Sequence, residues 1–164
     1  VTFAALCGFA VAVIAVVSDG AAVGVGHQHT HSLLEQAAAG AASEAHQPLV
    51  FTGLKFIASW LSAWTGIPGG IFGPSLSMGA GVGADVAWLL NSPHGAALIA
   101  LGMCGFLAAV TQTPITAMII VMEMTDGHSM VLSLMACALL ASLLSRMISR
   151  PLYSTMSSLM MRRL

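Results

Sequence analysis

The chain has 164 residues, of which 57% are hydrophobic and only 7% are charged, and its mean hydropathy is +0.91. Such an apolar composition excludes an ordinary water-soluble domain and predicts an integral membrane protein. Five basic and six acidic residues give a net charge of -1, which excludes the basic surface that nucleic-acid binding requires.

The first apolar run predicts a helix over residues 2–17. It has neither an initiator Met nor a basic lead, so it does not resemble a signal peptide. We therefore expect the sequence to begin partway through a longer polypeptide, with further membrane segments upstream.

Residues 18–47 form the most polar stretch of the chain, and we expect a surface loop with a short helix there. His27, His29 and His31 alternate in this loop, so an extended backbone would place their imidazoles on one face. Imidazole is a common metal ligand, but no Cys and, except for Glu35, no Glu stands at ligand spacing. A polar loop and a metal site both remain open, with the former favoured.

Six further apolar stretches predict helices. They cover about residues 48–65, 73–91, 95–112, 114–125, 128–148 and 151–162. Several are shorter than the roughly 20 residues that cross a bilayer upright, which favours tilted, paired or half-crossing helices. The expected fold is an all-α membrane protein, with residues 1–164 forming one membrane domain fragment and residues 48–164 its core.

A run of glycine and proline breaks the apolar pattern at residues 66–74, which read GIPGGIFGP. In a bilayer, broken helices survive only where protein or a solvated cavity satisfies their backbone groups. Pro74 is suited to the first turn of the next helix, because the missing N–H would be unpaired there. The amides just before it lie at the positive end of a helix dipole, so the break predicts an anion site. A packing hinge is the alternative.

Several other residues predict structure. Gly79 and Gly83, four residues apart, predict close helix packing. We expect the cysteines to be buried free thiols; they are Cys7, Cys104 and Cys137. Glu123 is interpreted as a structural acid that is bonded near the end of its helix. Asp126-Gly127 predicts a helix end with Gly127 in the left-handed conformation.

Three ordered blocks carry a family resemblance. Residues 69–74, GGIFGP, resemble the G-G-I-F-x-P signature of the CLC chloride channels and chloride/proton antiporters. Residues 102–125 resemble the next block of that family, and Arg150-Pro151-Leu152-Tyr153 resembles the segment that carries its chloride-contacting tyrosine. The resemblance covers about residues 49–164 and implies the second half of a CLC-type inverted repeat.

The resemblance implies an anion site at Ile71, Phe72 and Tyr153, with Gly70 and Gly73 beside it. Backbone amides at the Ile-Phe positions and the tyrosine hydroxyl would coordinate a dehydrated chloride. Neutral donors agree with this role, since a fixed cation in low dielectric would hold a halide too tightly for fast transit. For Tyr153, an interfacial anchor is the alternative interpretation.

The expected function is chloride transport, as a channel or as a chloride/proton antiporter, with no cofactor besides the transported chloride. The alternative is an incomplete half without activity of its own, because the family's G-S-G-x-P and G-x-E-G-P motifs do not occur here. An enzyme is not expected, since neither G-x-S-x-G nor H-E-x-x-H is found.

The resemblance also implies partners and a location. They are the bilayer, the missing amino-terminal half and a second copy in a homodimer, whose contact would include about residues 114–125 and 128–148. We expect a bacterial inner membrane. The carboxyl terminus should be cytoplasmic, because basic residues cluster near it; they are Arg146, Arg150, Arg162 and Arg163.

Overall fold

The computed structural model describes residues 2–17, 30, 32, 34–35, 48–64, 70, 72–92 and 94–148. Within them, the helices are α1 (Thr2–Val17), α2 (Pro48–Trp64), α3 (Phe72–Leu89), α4 (Gly95–Thr111), α5 (Pro114–Thr125) and α6 (Val131–Ile148), with a 3-10 turn at His128–Met130. The described part of the chain is helical, which confirms the all-α prediction. Observed and predicted helix ends agree within two residues for α1 to α5. The predicted helix over 151–162 lies outside the described residues.

Three helices end at non-glycine residues in the left-handed conformation. Asn91, Gln112 and Asp126 have φ values of 46°, 55° and 50°. The prediction that Gly127 takes this conformation is wrong, because Gly127 has φ -83° and Asp126 occupies the left-handed position. A short polar side chain such as that of Asp tolerates this region better than most others. The Gly127 N–H then bonds back to the Met122 carbonyl at 3.1 Å.

Helix α4 forms the centre of the core. Its residues Met103, Cys104, Leu107 and Ala108 are fully buried. They belong to a continuous apolar cluster that takes members from α3, α5 and α6 as well. Residues three and four apart on a helix share a face, so these positions put one continuous apolar surface of α4 into the core.

Glycines bring α3 and α4 into backbone contact. A Cβ on Gly79 would lie 2.6 Å from the Gly102 carbonyl oxygen, and one on Gly83 would lie 2.6 Å from the Cα of Ile99. The pairing of Gly79 with Gly102 and of Gly83 with Ile99 also shows that the two helices run antiparallel. The close packing predicted from the Gly79–Gly83 spacing is confirmed.

Helices α4 and α6 run parallel and are joined by polar contacts. Near their middle, the Cys137 Sγ donates to the Leu101 carbonyl at 3.4 Å. Further along both helices, the Ser145 Oγ donates to the Ala109 carbonyl at 2.6 Å. Residue numbers thus rise together along the two helices, which requires α5 to return between them.

Within the residues that the structure describes, one segment, His128–Ile148, is long and apolar enough to cross a membrane by length and composition. It has 21 residues and a mean hydropathy of 2.0, and only 17% of its most apolar window is buried inside the protein. Among the described helices, Gly95–Thr111 and Pro114–Thr125 are apolar but shorter. Most of the apolar surface of α6 therefore faces outward, to lipid or to another protein surface.

Candidate functional site

The candidate site lies at the interruption between α2 and α3. Helix α2 is described as far as Trp64 and α3 from Phe72, and Gly70 between them is non-helical and exposed. Residues 65–69 and Ile71 lie outside the described part of the chain. The helix begins one residue earlier than the sequence predicted, so Phe72, Gly73 and Pro74 form the first turn of α3.

The first turn of α3 supplies backbone donors and no competing negative charge. The first N–H groups of an α-helix have no partner within the helix, and here they include those of Phe72 and Gly73. Pro74 contributes none. No acidic residue occurs in this turn. No acidic side chain of this turn therefore compensates the positive end of the α3 dipole, which favours an anion.

The space around the break is open on the side that the structure describes. The Phe72 side chain is 41% exposed. A Cβ added to Gly70 would meet no described atom within 4 Å, and Gly70 does not have the left-handed φ that disfavours side chains. A ligand of ionic size thus meets no described side chain that covers Gly70.

Only some of the predicted site residues lie in the part of the chain that the structure describes. Gly70, Phe72 and Gly73 lie together at the start of α3. Ile71 and Tyr153 lie outside the described residues, so their places in the site stay predictions. The His27, His29 and His31 loop is likewise outside them. Within the part that is described, no group of three or more His, Cys, Asp or Glu side chains could hold a metal ion.

The structure also tests the predictions for the cysteines and for Glu123. Cys7 and Cys104 are buried free thiols, as predicted, while Cys137 is free but only partly buried. The Cys104 Sγ donates to the Leu134 carbonyl at 3.5 Å. The prediction for Glu123 is wrong, since its side chain is exposed on α5 and the described residues give it no hydrogen bond or ion pair.

Buried polar residues on α2 and α3 were missed from the sequence. Lys55 on α2 is 1% exposed, and Ser75 and Ser77 on α3 are similarly buried. Thr52 on α2 hydrogen-bonds the side chain of Asp85 on α3. The available signal was the position of Lys55 and Asp85 inside apolar segments, where an ionisable residue is a functional candidate by default.

Comparison with known proteins identifies the family. The sequence model of the voltage gated chloride channel family matches residues 1–146, which is most of the chain. The chain therefore belongs to the voltage gated chloride channel family. Tyr153 lies beyond the matched residues.

Curated bacterial transport proteins are among the relatives of the chain. The chain is 39% identical over 98 residues to the H(+)/Cl(-) exchange transporter ClcA of Cronobacter sakazakii, a match that covers 56% of this chain and 21% of the relative. It is 36% identical over 98 residues to the voltage-gated ClC-type chloride channel ClcB of Salmonella typhimurium, covering 56% of this chain and 24% of that protein.

A third relative is likewise matched over only a small part of its length. The H(+)/Cl(-) exchange transporter ClcA of Salmonella paratyphi A is 32% identical over 108 residues, which cover 62% of this chain and 23% of the relative. The chain thus matches less than a quarter of the length of these curated relatives. No solved structure gives a significant match.

Proposed function

We propose that this chain forms the amide-lined part of a chloride pathway. The observation that carries the proposal is the start of α3, where Phe72 and Gly73 present backbone N–H groups at a helix end with no acidic residue in its first turn. Family membership gives this anion-favouring end its substrate class, because the matched relatives are named for chloride exchange or chloride conduction.

In the proposed site, the N–H groups of Ile71 and Phe72 and the hydroxyl of Tyr153 donate to the chloride. Gly70 and Gly73 keep side chains away from the ion. Each donor replaces part of the hydration shell without adding a fixed charge, so binding is strong enough for entry and weak enough for release. The chloride enters this site, loses part of its water to the donors and leaves through groups that other parts of the protein contribute.

The alternative is that the chain is an incomplete half with no transport activity of its own. The observation favouring it is coverage, since the matched segment is 21–24% of the length of the relatives. The serine and gating glutamate that the family resemblance implies would then come from an upstream half. In this form the chain supplies donors to a pathway that it does not complete.

The proposal includes a homodimer in a bacterial inner membrane, with the carboxyl terminus in the cytoplasm. The apolar side chains that α5 and α6 leave exposed support a contact through these helices. They include Ile115, Ile119, Leu140, Leu143 and Leu144. Each copy would retain its own chloride pathway.

Chloride efflux from liposomes tests the proposal. The chain is reconstituted alone, and chloride release and external pH are recorded together. Efflux with proton movement supports an exchanger, and efflux without it supports a channel. Absence of efflux from inserted helical protein supports the incomplete half.

A second experiment, with a chimeric protein, tests the proposed site even if the chain alone is inactive. The part of this chain that matches the ClcA of Cronobacter sakazakii replaces its counterpart in that protein, and the folded chimera is assayed for chloride efflux beside unmodified ClcA. Retained efflux supports a chloride-competent segment. A folded, inserted chimera without efflux contradicts the proposed function.

A further inference from the structure

Two cysteines face each other across the contact of α4 with α6. The Cys104 Sγ donates to the Leu134 carbonyl at 3.5 Å. The Cys137 Sγ donates to the Leu101 carbonyl at 3.4 Å. The arrangement is reciprocal, because each thiol bonds the carbonyl that lies three residues before the other cysteine. The two side chains therefore cross between the helices at the same place.

The reciprocal bonds put both sulfurs in one layer of the interface. A helix carbonyl points along the axis toward the N–H four residues on, so the Leu101 oxygen lies beside Cys104. In the same way, the Leu134 oxygen lies beside Cys137. Each sulfur is thus within 3.5 Å of an oxygen that lies beside the other cysteine. The two cysteine side chains also interact electrostatically.

A glycine lets the two helices approach closely at this pair. Gly105 follows Cys104 on α4, and a Cβ added there would lie 3.1 Å from the Cys137 Sγ. Small residues at a contact allow helix backbones to approach each other in a membrane. A disulfide needs such closeness, since the Cα atoms of its cysteines are usually only about 4.4–6.8 Å apart.

Both thiols can leave their carbonyls at little cost to the helices. An S–H group is a weak donor. The carbonyls of Leu101 and Leu134 lie inside helices, where each also accepts the N–H four residues on. Loss of the two S–H groups therefore leaves neither carbonyl without a donor. A disulfide is uncharged, so it also places no charge in an apolar membrane segment.

The two sulfurs differ in access. Cys104 is fully buried, while Cys137 is partly exposed on α6. A small uncharged oxidant therefore reaches Cys137 first. A second copy packed on α6 would slow this entry, but hydrogen peroxide is little larger than water. The third cysteine of the chain, Cys7, lies on α1, which packs against α2, a helix without cysteine.

We propose that Cys104 and Cys137 form a redox-active dithiol, which a two-electron oxidant such as hydrogen peroxide converts to a disulfide that joins α4 to α6. The Cys137 sulfur attacks one peroxide oxygen, the O–O bond breaks, and the thiol proton leaves with the other oxygen as water. The Cys104 sulfur then attacks the sulfenic acid sulfur. The S–S bond forms, the S–OH bond breaks, and the Cys104 proton leaves with the hydroxyl as a second water.

Thiol counting on the protein reconstituted in lipid tests the proposal. The protein is reduced, treated with hydrogen peroxide, unfolded and labelled with a maleimide. The unmodified chain should lose two of its three labelled thiols and regain both with dithiothreitol. Mass spectrometry should find a peptide that joins Cys104 to Cys137. Three labelled thiols after peroxide, a link between two copies, or oxidised cysteines without a link would each overturn the proposal.

Cysteine variants identify the sulfurs that react. Cys7→Ala is the matched control and should keep the peroxide-dependent link. Cys104→Ala and Cys137→Ala should each abolish it, and a link that persists in either variant contradicts the assignment. If a variant fails to insert, the linked peptide of the unmodified chain decides. The inference does not rest on the chloride site, and the assay contains no transport step, so its failure leaves the proposed function untouched.

Discussion

Gly79 and Gly102 place the backbones of α3 and α4 in direct contact, and each occupies the space where the other would carry a Cβ. The carbonyl oxygen of Gly102 lies 2.6 Å from the position of a Cβ on Gly79. No rotamer change relieves such a contact, because the opposing atoms belong to the backbone. The contact fixes the depth at which α3 packs against the core helix.

Gly79→Ala should destabilise the protein by about 1–3 kcal/mol, the usual cost of overpacking a well-packed core. The added methyl group forces α3 away from α4. Thermal unfolding of the purified protein in detergent measures the effect. Gly53→Ala is the matched control, since Gly53 is also helical but has no neighbour within 4 Å, and it should be neutral or slightly stabilising. Equal melting of the two variants would contradict the close contact.

Tyr153→Phe should weaken chloride binding without unfolding the protein. A hydrogen bond to a charged group contributes about 1.5–3 kcal/mol, so the dissociation constant should rise by roughly tenfold or more. Isothermal titration calorimetry with chloride measures the change, and thermal unfolding checks the fold. Unchanged affinity would assign Tyr153 to an anchoring role at the membrane interface.

Gly70→Val should reduce chloride binding and transport while leaving stability nearly unchanged. An added Cβ at Gly70 meets no described atom within 4 Å, and Gly70 has no left-handed φ, so the new side chain should cost the fold little. Its branches would instead occupy the space in front of the amides at the start of α3. Chloride titration and thermal unfolding separate the two effects, with Gly53→Val as the control. Full binding in a stable Gly70→Val protein would exclude an ion at this break.

Ser145→Ala should destabilise the junction of α4 and α6 by about 1 kcal/mol, the usual net contribution of a hydrogen bond. The Ser145 Oγ donates to the Ala109 carbonyl at 2.6 Å and accepts from Gln112 at 3.3 Å. Ser133→Ala is the control on the same helix, because Ser133 is exposed. Thermal unfolding of both variants provides the comparison. A Ser145→Ala protein as stable as the control would mean that the bond is replaced by water.

The sequence predicts the helices well because their ends are locally encoded. Pro48 and Pro114 begin helices α2 and α5, and the Gly79–Gly83 spacing predicts the contact with α4. The left-handed residue at the end of α5 was assigned to Gly127, since glycine has the lower intrinsic cost. The structure selects Asp126 instead, because that choice directs the Gly127 N–H to the Met122 carbonyl.

Long-range polar pairs could not be predicted in the same way. Thr52 and Asp85 are 33 positions apart, as are Gln112 and Ser145, and neither spacing has a local signature. They meet only after the helices pack. The candidate anion site can be predicted from the sequence only in part. The start of α3 follows from the Gly-Pro pattern, but the proposed contribution of Tyr153 depends on the family resemblance.

The antiparallel contact of α3 with α4, and the parallel attachment of α4 to α6, have a mechanical consequence. A displacement at Phe72 would reach α4 through direct backbone contact, since no side chain separates the two helices at Gly79 and Gly102. Because α3 and α4 are antiparallel, the start of α3 lies toward the carboxyl end of α4, where the Arg146 guanidinium bonds the Gln112 carbonyl at 3.3 Å. The proposed chloride donors and the Arg146–Gln112 contact therefore lie toward the same end of the packed helices, joined through the glycine contact of α3 with α4.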